Sequence, residues 1–145
     1  NTGIQHLVQA DPRDINKYIT DPILRKRAHH VSSEQQRVQE AAAALRNLQI
    51  EDFGALLSQS HRSLKEDYEV SGHELDTMVE GALQHPACIG AKMSGAGFGG
   101  CAFALVRQDA IESFSAYIEQ YYHRHTGIKG NAFEVEVVDG VRKLV

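Results

Sequence analysis

The sequence is short of cysteine: only Cys88 and Cys101 occur in 145 residues. Two thiols cannot build the disulfide framework that staples small secreted domains, and one bridge is disfavoured by the same reasoning. The pattern fits a reducing cytosol, so a cytoplasmic location is expected. No run approaches the ~18 consecutive apolar residues of a membrane-spanning helix, so no membrane association is expected. Asn1 to Ala10 lacks the cationic start and apolar centre of a signal peptide. An excess of positive charge is also missing. Lys and Arg total 15 against 19 Asp and Glu, a formal net charge of -4. That argues against nucleic acid as a partner, since such proteins carry a basic face. There is no internal repeat, low-complexity tract or linker.

What is present suits one domain with a real core: 42% hydrophobic and 23% charged residues, near the average for globular domains. The chain opens on polar residues without an initiator methionine, as a piece of a longer protein would.

The first half reads as helices. Asp21-Pro22 is a helix start, a capping side chain followed by proline at the first helical position. Leu24, Ala28, Val31, Val38, Ala42 and Leu45 then recur at helical spacing in one long amphipathic helix that fades near Asn47. Phe53, Leu56, Leu57, Ser60, Leu64 and Tyr68 mark a second helix. Ser71-Gly72-His73-Glu74 reads as a capping box opening a third. There Leu75, Met78, Val79, Ala82 and Leu83 form the buried stripe, and Pro86 ends it. Asp76 falls off the stripe, at an exposed or capping position.

The period then changes. Ile89 to Met93 is a short strand, and Cys101 to Val106 is an apolar run expected to be buried on both faces. Asp109 is expected to cap a fourth helix through Ile111, Phe114, Ile118 and Tyr121, with Gly127 as its stop. Phe133, Val135 and Val137 alternate with Glu134 and Glu136 in a half-exposed strand. Asp139-Gly140 turns it back into Val141 to Val145. The fold class is therefore α+β: a helical N-terminal part packed on a small, mostly antiparallel sheet in the order β-β-α-β-β.

The sharpest feature is the loop between the first two strands: Ser94, Gly95, Ala96, Gly97, Phe98, Gly99 and Gly100. Glycine admits positive φ and close approach, and successive amides in such a loop can line an anion site, phosphate being the obvious anion. A tight hairpin needing glycine for shape alone is the competing reading. The loop does not open a helix, as a dinucleotide fingerprint would. It does not end in Gly-Lys-Ser or Gly-Lys-Thr. No lysine follows in a Val-Ala-Ile-Lys-like strand, as a protein kinase requires.

The eight histidines suggest no metal site. His29 and His30 point about 100° apart on a helix. His123 and His125 diverge likewise, and ligand spacing must be specific. They are read as surface or capping residues. Ser60 and His61 are helical neighbours that do not face each other, so a nucleophile–base pair is disfavoured. Glu66, Asp67 and Glu69 read as a solvated acidic run.

Three segments together resemble the galactokinases of the GHMP kinase family. His30-Val31 with Glu34 and Arg37-Val38 is similar to the long helix after their sugar-binding region. Ser60-His61, Ser63-Leu64, Asp67 to Ser71 and Glu74-Leu75-Asp76 are similar to their most recognisable C-terminal stretch. Gly90 to Cys101 is similar to the third GHMP motif. Lys92 and Ser94 stand where arginine and threonine are common, and Gly72-His73 where Cys-Pro is expected. The resemblance implies a single GHMP kinase C-terminal domain over 1–145, ferredoxin-like, helical over about 12–86 and sheet-containing over about 87–145.

It further implies a complete enzyme that transfers the γ-phosphoryl of ATP, with Mg2+, to the 1-hydroxyl of D-galactose. The family's sugar signature, its Gly-Leu-Ser-Ser-Ser-type phosphate loop, its catalytic aspartate and its supporting arginine belong to an N-terminal half absent here. No catalytic residue can be carried over, and no tightly bound cofactor is expected. Residues Ser94 to Gly100 are expected to face the phosphoryl region. The missing N-terminal lobe is the expected partner. Without it, the chain should be inactive and should self-associate through the exposed face. A non-catalytic sugar and ATP sensor, a kinase for a related sugar such as N-acetylgalactosamine, and a stand-alone α+β ligand-binding module remain open.

Overall fold

The computed structural model describes residues 4–140. Two 3-10 turns and the short helix α1 (Ile15–Tyr18) lead into α2 (Pro22–Arg46), and α3 (Ile50–Ser63) follows. The α3 helix runs into a π-helical turn at Leu64–Tyr68, and α4 is His73–Gln84. Strands β1 (Cys88–Ser94) and β2 (Cys101–Val106) form an antiparallel hairpin, and α5 is Ile111–Thr126.

Helix α2 starts where its caps dictate. The Asp21 carboxylate accepts the amides of Ile23 and Leu24 at 2.9 Å, and Pro22 occupies the first turn, where its missing N–H costs nothing. Two other caps differ from expectation. Gly72, not Ser71, is the N-cap of α4 and offers no side chain, and Ala110 precedes α5 because Asp109 is taken up in a 3-10 turn. Gly127 ends α5 in the left-handed region, as expected.

The core lies on one face of the hairpin. Val79 and Ala82 of α4, Phe114 and Ile118 of α5 and Ala91 of β1 pack together, with Met78, Ala102, Ala104 and Tyr117 at the margin. Burying each large aliphatic or aromatic chain contributes about 1.5–3 kcal/mol. The strand β2 is not buried on both faces: Phe103 remains 42% exposed because only two strands pair among the described residues. The Phe133–Val137 segment is not a strand here. It has no ladder partner among the described residues, and Phe133, Val135 and Val137 are exposed. The expected strand Val141–Val145 lies outside the described residues. The two cysteines sit at opposite ends of the hairpin ladder, Cys88 opposite Val106 and Cys101 opposite Ser94, so they are free.

Helix α3 lies along the open edge of β1. Gly54 and Gly90 make this possible, since a Cβ on either would run into the backbone of the other segment. An unpaired strand edge exposes amides that need partners. Here α3 supplies them: the Ala91 amide donates to Ser58 Oγ at 3.4 Å and the Met93 amide to His61 Nδ1 at 3.3 Å. Helix α2 packs on α3 in turn. Its buried positions are Ala28, His30, Ser32 and Ala44, while Leu24, Val38 and Leu45 of the apolar stripe are exposed.

Candidate phosphate loop and the polar layer beneath it

The hairpin connection Gly95–Gly100 is the glycine loop. Gly95 and Gly97 have φ of 80° and 89°, while Ala96 between them is not in the positive region. The alternation ends there, because Phe98, Gly99 and Gly100 also have positive φ; the glycines supply this backbone without strain, and successive amides in a glycine loop can line an anion site. Gly97 is required on a second count: a Cβ there would run into the Val70 carbonyl. Phe98 has φ of 59°, unusual for a bulky residue, and its ring is 75% exposed at the loop tip. Its amide donates to the Val70 carbonyl at 2.8 Å, the loop's one backbone bond to the helical part among the described residues. Ser94, Gly95, Ala96, Gly99 and Gly100 are exposed around it. The seven expected loop residues are thus brought together on one surface, open to solvent.

Next to the loop lies a polar layer whose histidines were read from the sequence as surface or capping residues. Ser60, His61 and Ser63 are buried, as is His30. Ser60 Oγ donates to Glu34 Oε1 at 2.5 Å and accepts from Lys92 Nζ at 2.7 Å. Arg37 Nε donates to the other oxygen of Glu34 at 2.8 Å. Burial alone would raise the Glu34 carboxyl, but the bonds from Ser60 and Arg37 outweigh it and hold the group below its ordinary value. The single hydroxyl proton of Ser63 goes to Asp67 at 2.9 Å, so His30 Nδ1, 3.0 Å from Ser63 Oγ, carries a proton between them. The His30 ring stacks on Tyr68 at 4.6 Å between centroids.

Of the expected solvated acidic run, Glu66 and Glu69 are exposed and Asp67 is half-buried, and two of the three reach across to α2. Glu69 pairs with Lys26 and Arg27 of α2, and Asp67 faces His29 at 3.3 Å. Asp76, by contrast, is half-buried. Its Oδ1 lies 3.4 Å from His61 Nε2 and its Oδ2 3.3 Å from Lys65. Since His61 Nδ1 accepts from Met93, its proton sits on Nε2 and faces Asp76. The pair is long and poorly aligned, and neither atom has another partner among the described residues. Burial holds His61 below the ordinary imidazole value. Asp76 pulls the other way, with smaller effects from Lys65, Glu80 and Lys92. The neutral ring is therefore the stable form near pH 7.

The signal for this layer was in the sequence. The stretch Ser60 to Asp76 that resembles the galactokinases is the one that builds it. Its residues were missed as a site because helical periodicity reads polarity as exposure. Among the described residues no group of three or more His, Cys, Asp or Glu side chains could hold a metal ion. No helix among the described residues is long and apolar enough to cross a membrane.

Comparison with known proteins agrees with this geometry. Residues 41–124 match the family model described as GHMP kinases C terminal. The chain is 44% identical over 145 residues to a galactokinase of Enterococcus faecalis, covering 98% of this chain and 38% of that protein. It is 38% identical over 142 residues to a galactokinase of Clostridium acetobutylicum, covering 98% of this chain and 36% of that one. Among solved structures, Lactococcus lactis galactokinase complexed with galactose superposes with a TM-score of 0.84 at 41% identity, covering 87% of this chain and 33% of that chain. The chain spans under two-fifths of the length of these relatives. By the family model and by these relatives, the chain belongs to the GHMP kinases and corresponds to their C-terminal domain.

Proposed function

We propose that this chain is the C-terminal lobe of a galactokinase and forms one wall of its phosphoryl-transfer site. The complete protein would transfer the γ-phosphoryl of ATP to the 1-hydroxyl of D-galactose in the cytoplasm. Ser94 to Gly100 would face the phosphates, their amides other than that of Phe98 meeting the charge that develops on transfer. The carrying observation is this loop, rich in positive-φ glycines and fastened to Val70, in a chain 44% identical to a galactokinase along nearly its whole length. Residues 1–145 form one such domain, and the lobe carrying the catalytic machinery would be its partner. Any Mg2+ would be held by the phosphates and by that other lobe.

Phosphoryl transfer depends on positioning and charge stabilisation from both sides of the cleft, so one wall alone supplies little. A coupled assay with galactose and MgATP tests this. The chain alone is expected to give no turnover above a no-enzyme control. Joined in frame behind the N-terminal part of the Enterococcus faecalis galactokinase, it is expected to restore galactose phosphorylation. Turnover by the chain alone would refute the split-site reading. Saturable nucleotide binding by the chain alone would favour a stand-alone module. Sugar and nucleotide binding by the joined protein without turnover would favour a sensor.

A further inference from the structure

We propose that His61, with Asp76 facing its far nitrogen, is a positioning residue for the glycine loop: it fixes Met93, and so sets where Ser94 to Gly100 leave strand β1. The inference deepens the phosphate-loop reading and rests on it for its kinetic consequence only.

A hairpin loop can be aimed by its own strand pairing. Here that is insufficient, since β1 pairs on one side only among the described residues, and at the loop end its other edge meets a helix. The last strand amide before the loop that turns to α3 is that of Met93, and His61 Nδ1 receives it at 3.3 Å. Met93 is 2% exposed and His61 6%, so solvent cannot substitute for this acceptor. A buried amide left without a partner is destabilising, so the ring is the natural anchor. The acceptor role demands one tautomer and one ring orientation. Asp76 Oδ1 faces Nε2 at 3.4 Å without a hydrogen bond, its charge favouring the proton on that nitrogen, and Lys65 lies 3.3 Å from the other carboxylate oxygen. Two residues from α3 and α4 thus brace the strand that ends at Ser94. The second fastening, Phe98 to the Val70 carbonyl at 2.8 Å, comes from the connection between the same two helices. The loop is therefore tied twice to the segment Ser60–Asp76, once at its entry and once near its tip.

The groups facing the ring are Asp76, Lys65 and Glu80 from the helical side and Lys92 from β1. None offers Met93 an alternative acceptor. The arrangement resembles other histidines whose orientation is set by a carboxylate on the far nitrogen.

Histidine ring nitrogen NMR and amide hydrogen exchange on the full 145-residue chain test the proposal. His61 is expected to show an unprotonated Nδ1 and a protonated Nε2 at pH 7. His61→Phe keeps the bulk and removes the acceptor. Exchange at Met93 and through Ser94–Gly100 is expected to rise about tenfold, while Val79, Phe114 and Ile118 stay unchanged. His61→Asn, which places an oxygen near the position of Nδ1, should bring Met93 back to within about threefold of the parent. If His61→Phe does not fold, the near-isosteric Asp76→Asn takes its place: His61 is then expected to populate a second tautomer and exchange at Met93 to rise. A ring protonated on Nδ1, or exchange at Met93 and the loop unchanged in the variant that folds, would overturn the proposal. So would loosening spread evenly over α4 and α5.

In the joined kinase described above, His61→Phe is expected to lower kcat about tenfold or more with the galactose KM within about twofold, because misaimed loop amides affect transfer more than sugar binding. A kcat within about twofold of the parent would overturn the positioning role. If the joined kinase shows no turnover at all, the phosphate-loop reading has failed, and the NMR and exchange results alone decide whether His61 positions the loop.

Discussion

Gly97 combines two constraints that no other residue satisfies together: a φ of 89° and a backbone pressed on the Val70 carbonyl. Gly97→Ala is expected to destabilise the chain by about 2–3 kcal/mol, read as a shift in the urea midpoint with an unchanged slope. A change within about 0.5 kcal/mol would mean that the loop is not fastened to Val70 in solution. The buried histidines give a second test. His30 and His61 are both held below their ordinary value of 6.5, by burial first in each case. A folded value below the unfolded one means that the unfolded chain binds the extra proton more readily. Stability is then fully present above pH 6.5 and falls as the pH drops through the unfolded value toward the folded ones. Urea midpoints should therefore decrease from pH 7.5 to 5.5, and His61→Asn should flatten that slope. A midpoint that rises over this range would contradict the burial of the pair. Glu34 acts further into acid, losing its contribution only below its ordinary value of 4.5.

Between elements, the contact of α3 with the edge of β1 is the one that shapes the site. Gly54→Ala would wedge a methyl group against Ile89 and lift the helix from the strand. The expected cost is about 1–3 kcal/mol, with faster amide exchange at Ala91 and Met93, whose partners Ser58 and His61 sit on the displaced helix. Protection of Ala91 and Met93 equal to the parent's would show that α3 does not cover this edge. At the other end of the helical layer, Asp21→Ala removes the acceptor for two first-turn amides of α2 and is expected to cost about 1 kcal/mol in thermal unfolding followed by circular dichroism. The start of α2, the end of α5 and the hairpin were legible in the sequence because capping residues, glycine stops and apolar runs act locally. The α4 and α5 caps were not. Ser71 and Asp109 carry the right chemistry, but the chain leaves the α3 turn with Glu69 left-handed and enters α5 through a 3-10 turn, so other residues occupy the cap positions.

At the scale of the whole chain, large apolar side chains remain uncovered: Ile23 and Leu24 at the start of α2, Phe98 on the loop, and Phe133, Val135, Val137 and Val138 after α5. Surface of this kind is usually covered by a partner. The chain alone is expected to self-associate or lose solubility as its concentration rises, and joining it to an N-terminal kinase part should return it to a defined species. Sedimentation velocity over a range of concentrations checks this. A clean monomer throughout would mean that these residues serve no interface.

By its own order of residues the sequence determined the start of α2, the glycine loop and the family, since capping, positive-φ glycines and motif spacing are set within a few positions along the chain. Which polar groups lie inside was decided only by tertiary structure. His61 and Asp76 read as surface, capping or exposed helix residues until α2, α4 and β1 close over them and over Ser60 and Ser63 and supply their partners. The physical reason is that a polar side chain can be buried only where partners converge on it, and those partners come from segments as far apart in sequence as Glu34 and Lys92.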